Sequence, residues 1–214
     1  MNIIDVIKSR KTCKIYDPSR ALTADQIEDI KTLLRYAPSS VNSQPWHYFL
    51  IESVDAKENI LPGFMEFNRP KVTNSSVTII FTVRTTLGDQ YAEFITEQEA
   101  KDQRFLDEAG KAGVDAGRKT FINLNSSTQE DINRWCEKQA YIAMGTVLLG
   151  AGALGIDATP IEGVLPDELD RILELPQQGL RAIAAVTLGY ASADDYNAKL
   201  PKSRLPEDRV FTVL

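Results

Sequence analysis

Two short basic runs stand out in an acidic chain: Arg10-Lys11-Thr12-Cys13-Lys14 near its start and Lys202-Ser203-Arg204 near its end. Arginine offers paired, parallel N–H donors and lysine a compact charge, so either run suits a phosphate or carboxylate. Each, taken alone, reads equally as a solvated face. The uncharged segment Pro38-Ser39-Ser40-Val41-Asn42-Ser43-Gln44-Pro45-Trp46 carries hydroxyl and amide side chains that form turns and can also bind polar groups. Acid–base groups are scarce by comparison. His47 is the single histidine, so neither a His-rich zinc centre nor a pair of catalytic imidazoles can be assembled, and no metal site is expected. Beside Trp46 at the entry to a strand, His47 reads as a packing residue. Cys13 and Cys136 lack metal-ligand spacing and read as reduced thiols. The chemistry therefore falls to a bound cofactor rather than to a side-chain pair.

The elements that must position these groups follow from hydrophobic spacing. Residues 2–9 read as a helix. Thr23 with Gln26 makes a capping box for a second helix, whose Ile27, Ile30, Leu33 and Leu34 share a face and which Pro38 ends. His47–Glu52, Val77–Val83 and Ala182–Leu188 read as core strands. A long helical stretch over residues 88–155 begins with a polar part interrupted by Gly110, Gly113 and Gly117, which is expected to be mobile. It continues from Asp131 as a long buried helix. Residues 140–156 carry no charge, but Gly145, Gly150, Gly152 and Gly155 favour a core helix over a membrane span. Gly150-Ala-Gly-Ala-Leu-Gly155 matches the dinucleotide pattern G-x-G-x-x-G, yet these glycines close a helix instead of opening one after a strand, so they read as close-packing residues. The tail Arg209–Leu214 has strand composition behind a charged, Pro-containing linker, so its partner strand is expected on another chain. Strict β-α-β alternation is missing, and the class is α+β. At 214 residues and 43% hydrophobic, one domain over residues 1–214 is expected. A net charge of −6 argues against a nucleic-acid surface, and the first residues lack the features of a secretory signal, which points to the cytoplasm.

Taken together, Arg10–Lys14, Pro38–Trp46, Pro160-Ile-Glu-Gly163 and Leu200-Pro-Lys-Ser-Arg204 resemble, in order and spacing, the oxygen-insensitive nitroreductase and flavin reductase family of FMN enzymes. The likeness runs from residue 2 to the last strand and is strongest to its NAD(P)H nitroreductase and dihydropteridine reductase subgroup. It implies a mainly antiparallel sheet surrounded by helices, and a homodimer that exchanges the C-terminal strand. It also implies FMN as cofactor, with Arg10, Thr12, Lys202 and Arg204 converging on the phosphate. Lys11 belongs to the same motif but departs from the histidine frequent in close relatives. Lys14, Asn68 and Lys71 are implied at the flavin's pyrimidine edge, where reduction places negative charge. Pro160, Glu162 and Gly163 come near N5 and O4, acting through the backbone. Pro38, Ser39, Ser40 and Asn42 are implied to come from the other subunit, Gln139 to touch the ribityl chain or ring, and Phe121 to overhang the open flavin face as a substrate lid.

The activity implied is hydride transfer from NADH or NADPH to nitroaromatics, quinones, pteridines or flavins by a ping-pong mechanism. Two alternatives stand beside it: a reductase that releases free reduced flavin, and a flavin-binding module without turnover. Small aromatic or quinoid substrates are expected, and neither nucleic acid nor a membrane is.

Overall fold

The computed structural model describes residues 2–214. Four antiparallel strands form one sheet in the order β1-β2-β4-β3: β1 Trp46–Ile51, β2 Val77–Arg84, β3 Asp157–Ile161 and β4 Leu180–Gly189. The two central strands are β-branched and apolar along almost their whole length because both of their faces are covered. Alternate side chains serve opposite cores. Ile79 and Phe81 pack with Ile30, Leu34 and Met144 on one face, while Ile80 packs with Ile60, Phe64 and Leu169 on the other. The strand that hydrophobic spacing does not reveal, β3, carries Pro160, and a proline is tolerated there because β3 lies at the sheet's edge.

The first core is covered chiefly by α2 (Ala24–Arg35) and α7 (Gln129–Ala153), with α1 (Ile3–Ser9) against α7. The Thr23–Gln26 capping box is present at the start of α2, and a second one, Thr128–Asp131, starts α7. Three short helices, α3 (Val54–Ile60), α4 (Arg69–Asn74) and α8 (Pro166–Ile172), cover the second core. The glycines at the end of α7 set helix spacing. A Cβ built on Gly150 would lie 2.3 Å from Leu33 Cδ1 of α2, and one on Gly152 3.2 Å from Val6 Cγ1 of α1. Gly155, at φ +72°, then ends the helix in left-handed backbone ahead of β3. The dinucleotide pattern thus stands where a phosphate-binding turn cannot. No helix among the described residues is long and apolar enough to cross a membrane.

One expectation needs correction. The stretch over 88–155 is three helices, α5 (Asp89–Lys101), α6 (Glu108–Leu124) and α7, and Gly110, Gly113 and Gly117 lie inside an unbroken α6. α5 and α6 form a hairpin joined by the buried Arg118–Glu99 ion pair at 2.5 Å, Thr96 Oγ1 to Asp115 Oδ1 at 2.9 Å, and Lys119 to Glu93 at 2.8 Å. His47 is exposed on β1, and its ring packs edge-on against Phe49 at a centroid distance of 5.1 Å. Desolvation first, and then Arg84, lower its pKa. The tail pairs with no strand of its own chain: beyond a turn at Glu207–Arg209, Val210, Phe211, Val213 and Leu214 are exposed. Both cysteines are free and buried, and burial pushes each thiol up to about 12, which leaves them unreactive.

Candidate functional site

The outer edge of β3 organises the site. Among the described residues one isolated bridge meets it, from Thr12 to Ala158 in parallel sense, and the chain then turns to bridge Ala191 through Tyr16. Five residues of strand rise separate Ala158 from Gly163, about 16–17 Å. A cation cluster stands at each end of that span.

At the Thr12 end, Arg10, Lys11 and Thr12 line a pocket of about 180 Å³ together with Lys202, Ser203 and Arg204. Residues almost two hundred positions apart in sequence meet here because a second segment clamps the first. Asp195, buried, accepts from the Asn197 backbone at 3.1 Å and from the Lys14 backbone at 3.3 Å, while Asn197 Nδ2 donates to the Thr12 carbonyl at 2.7 Å. Lys11 donates to the Ala198 carbonyl, and Lys202 to the Ile7 carbonyl at 2.5 Å. The resulting pocket is electrostatically incomplete. The Arg10 guanidinium is lowered in pKa by burial first and by Arg204 second, and Lys202 by desolvation and then Arg10, Arg204 and Lys11. These are the signs of like charges gathered without a counter-ion.

At the other end, Gly163 follows β3 and lies against α4 and the turn before it. Asn68 Nδ2 donates to the Gly163 carbonyl at 3.2 Å, and Lys71 Nζ donates to Asn68 Oδ1 at 3.0 Å. Desolvation, and next the Lys14 charge, lower the Lys71 pKa. Glycine is required at 163 for room: a Cβ there would sit 2.4 Å from Asn68 Nδ2. Exposed Met65 and Phe67 border the same place, and Tyr141 from α7 donates to Glu162 Oε1 at 2.8 Å. Among the described residues, none of Arg10, Lys11, Lys14, Lys71, Lys202 and Arg204 is ion-paired to a carboxylate. No group of His, Cys, Asp and Glu among them could hold a metal ion.

A third set lies apart. Pro38, Ser39, Ser40 and Asn42 lead into β1, at the opposite edge of the sheet from β3. Gln139 belongs with them in this chain: its Oε1 accepts from the Ser40 backbone at 2.8 Å and its Nε2 donates to the Trp135 carbonyl at 3.1 Å. Phe121, on the last turns of α6, is 48% exposed and so is free to cover a neighbour rather than committed to the core. Of the groups that sequence reasoning nominates, one chain brings together the first two sets and leaves the third elsewhere. It missed Asp195 and Asn197. Asp195 reads as one more loop acid in Ala-Asp-Asp-Tyr-Asn, and only the fold shows that it clamps residue 14.

The chain resembles known proteins over almost its whole length. The model of the Nitroreductase family matches residues 7–190. An oxygen-insensitive NAD(P)H nitroreductase of Salmonella typhimurium is 38% identical, with 99% of each chain covered. The major NAD(P)H-flavin oxidoreductase of Aliivibrio fischeri is 32% identical, over 99% of this chain and 98% of the relative. A crystal structure of an Exiguobacterium sibiricum protein, named as a nitroreductase and in complex with FMN, superposes with a TM-score of 0.85 at 22% identity, covering 100% of this chain and 98% of that one.

Proposed function

Because the chain belongs to the nitroreductase family, we propose that it is an FMN-dependent oxidoreductase that carries hydride from NADH or NADPH to nitroaromatics, quinones, pteridines or flavins. The observation that carries this reading is the pair of uncompensated cation clusters at the two ends of one open strand edge. An acidic protein that leaves six cations without acid partners along such a span fits a long ligand with a phosphate at one end and an electron-accepting ring at the other. The room kept at Gly163 suits a flat ring against the backbone. FMN, when bound, supplies the redox chemistry itself.

The chain's residues then have distinct tasks. Arg10, Lys11, Thr12, Lys202 and Arg204 hold the phosphate, with Asp195 and Asn197 fixing the two segments that carry them. Lys14 and Lys71 stabilise negative charge at the pyrimidine edge, with Asn68 orienting Lys71, and a preformed charge of this kind costs no reorganisation during the reaction. The Pro160–Gly163 backbone faces N5 and O4. No side chain is assigned as acid or base. Phe121 covers the exposed ring face and adapts to different acceptors.

The chain is read as one domain over residues 1–214 that works as a homodimer. The loop 38–46 and the edge of β3 lie on opposite sides of the sheet, so Pro38, Ser39, Ser40 and Asn42 complete a flavin site across the subunit boundary, and Gln139 supports them. The apolar tail, unpaired within its own chain, is exchanged as a strand. Its nicotinamide co-substrate places the enzyme in the cytoplasm. The name of the Aliivibrio relative favours free flavin as a second class of acceptor.

One open ring face serves donor and acceptor in turn, so oxidised nicotinamide leaves before the acceptor enters. Steady-state rates at several fixed concentrations of a nitroaromatic are expected to give parallel double-reciprocal lines against NADH. Intersecting lines, the sign of both substrates bound together, would contradict the shared face.

A further inference from the structure

The loop from Ser39 to Gln44 is held in a conformation that its residues do not favour by themselves. Val41, Asn42 and Gln44 have φ of 47°, 50° and 43°, in the left-handed region that a β-branched valine resists most. Backbone of this kind persists only where its surroundings over-determine it. Side chains from three helices do so here. From α7, Gln139 accepts the Ser40 N–H at 2.8 Å. From α5, Tyr91 donates to the Gln44 carbonyl at 2.7 Å, and Glu99 Oε1 accepts from Asn42 Nδ2 at 2.7 Å. From α6, Arg118 Nε donates to the Val41 carbonyl at 3.0 Å.

Arg118 and Glu99 are 1% and 5% exposed and meet at 2.5 Å. The guanidinium also donates to the Ala92 carbonyl at 3.3 Å and to Thr96 Oγ1. Two charges buried this deeply are poor value for stability alone, since well-packed apolar residues serve as well or better. Outside their own helical hairpin, the hydrogen bonds that the pair makes fall on Val41 and Asn42, the two adjacent left-handed residues.

We propose that the buried Arg118–Glu99 pair is a positioning device for the flavin-binding loop: it holds Val41 and Asn42 in left-handed backbone, so that Ser39, Ser40 and Asn42 are presented across the subunit boundary. The inference rests on the assignment of that loop to FMN made above. Arg118 and Phe121 lie three residues apart on α6, so the loop and the aromatic cover share one anchor.

Two variants test it. Glu99→Gln keeps the side-chain shape and an acceptor for Asn42 but removes the charge opposite Arg118. Arg118→Lys keeps a charge but removes the Nε–H that holds the Val41 carbonyl. Each is expected to keep the wild-type far-UV spectrum, to bind FMN about tenfold more weakly, and to change the visible circular dichroism of bound FMN. Adding Val41→Gly, for which left-handed backbone carries no penalty, is expected to restore most of the affinity. A role in stability alone would lower Tm without that rescue. Wild-type affinity and unchanged flavin dichroism in both single variants, or a loss that Val41→Gly leaves in place, overturns the positioning role while the flavin reading stands. A wild-type protein that takes up no FMN overturns both. Should Arg118→Lys fail to fold, the Glu99→Gln series alone decides.

Discussion

Removal of residues 206–214 is expected to dissociate the homodimer and to strip FMN from a chain that still holds all of its own phosphate-binding cations. The cut falls after Arg204, so Arg10, Thr12, Lys202 and Arg204 remain, and any loss of flavin reports on the interface and not on the phosphate pocket. Val210, Phe211, Val213 and Leu214 are exposed in the single chain. Burying such side chains stabilises by about 1.5–3 kcal/mol each, and losing half of that for four of them weakens association by at least about a hundredfold. Sedimentation velocity and retention of flavin through desalting read the two effects together. A truncated protein that stays dimeric and fully yellow contradicts the exchanged tail.

Arg204→Ala is expected to lower FMN affinity about tenfold to a hundredfold, because one charge-assisted interaction worth about 1.5–3 kcal/mol is removed from a preformed pocket. The fold has little reason to notice. Arg204 is exposed, and its only hydrogen bond within the chain goes to the neighbouring Ser203 carbonyl at 2.6 Å. Desolvation is the main cause that lowers the pKa of Arg10 and Lys202, and loss of Arg204 removes a smaller repulsive one, so the stability of the flavin-free protein is expected to stay level or rise slightly. Fluorescence titration with FMN, alongside thermal unfolding of the flavin-free protein, checks both parts. Undiminished affinity removes Arg204 from the phosphate site.

The legible parts of the fold were those in which one residue pattern has one physical outcome. The Thr23–Gln26 capping box fixes where α2 begins, and the largely apolar runs of β2 and β4, without polar alternation, fit strands with both faces covered. β3 is hard to read because five residues with a proline in fourth place look like a turn until the sheet shows that they form its edge. The α5–α6 hairpin is hidden for a related reason. Gly110, Gly113 and Gly117 weaken local helix propensity, whereas the pairing of Arg118 with Glu99, nineteen residues away, supplies an anchor that no local pattern reveals.

The site divides in the same way. Basic runs at 10–14 and 202–204 are visible as composition, but each alone is as well explained by solvent, and their meaning comes from convergence on one pocket. Convergence depends on Asp195 and Asn197, which carry no signature of their own. That the Lys14 charge acts on Lys71 at all depends on the fold, which packs α4 beside the end of β3.

The central claim is that a flavin held along the β3 edge takes hydride from a nicotinamide and gives it to a second substrate. Anaerobic addition of NADH or NADPH to the FMN-loaded homodimer tests it most directly. The visible flavin absorption is expected to bleach at a rate that rises with nicotinamide concentration, and to return when a nitroaromatic or quinone is added. A flavin that stays oxidised with both nicotinamides, while remaining bound, would mark the chain as a flavin-binding module and contradict its assignment as an oxidoreductase.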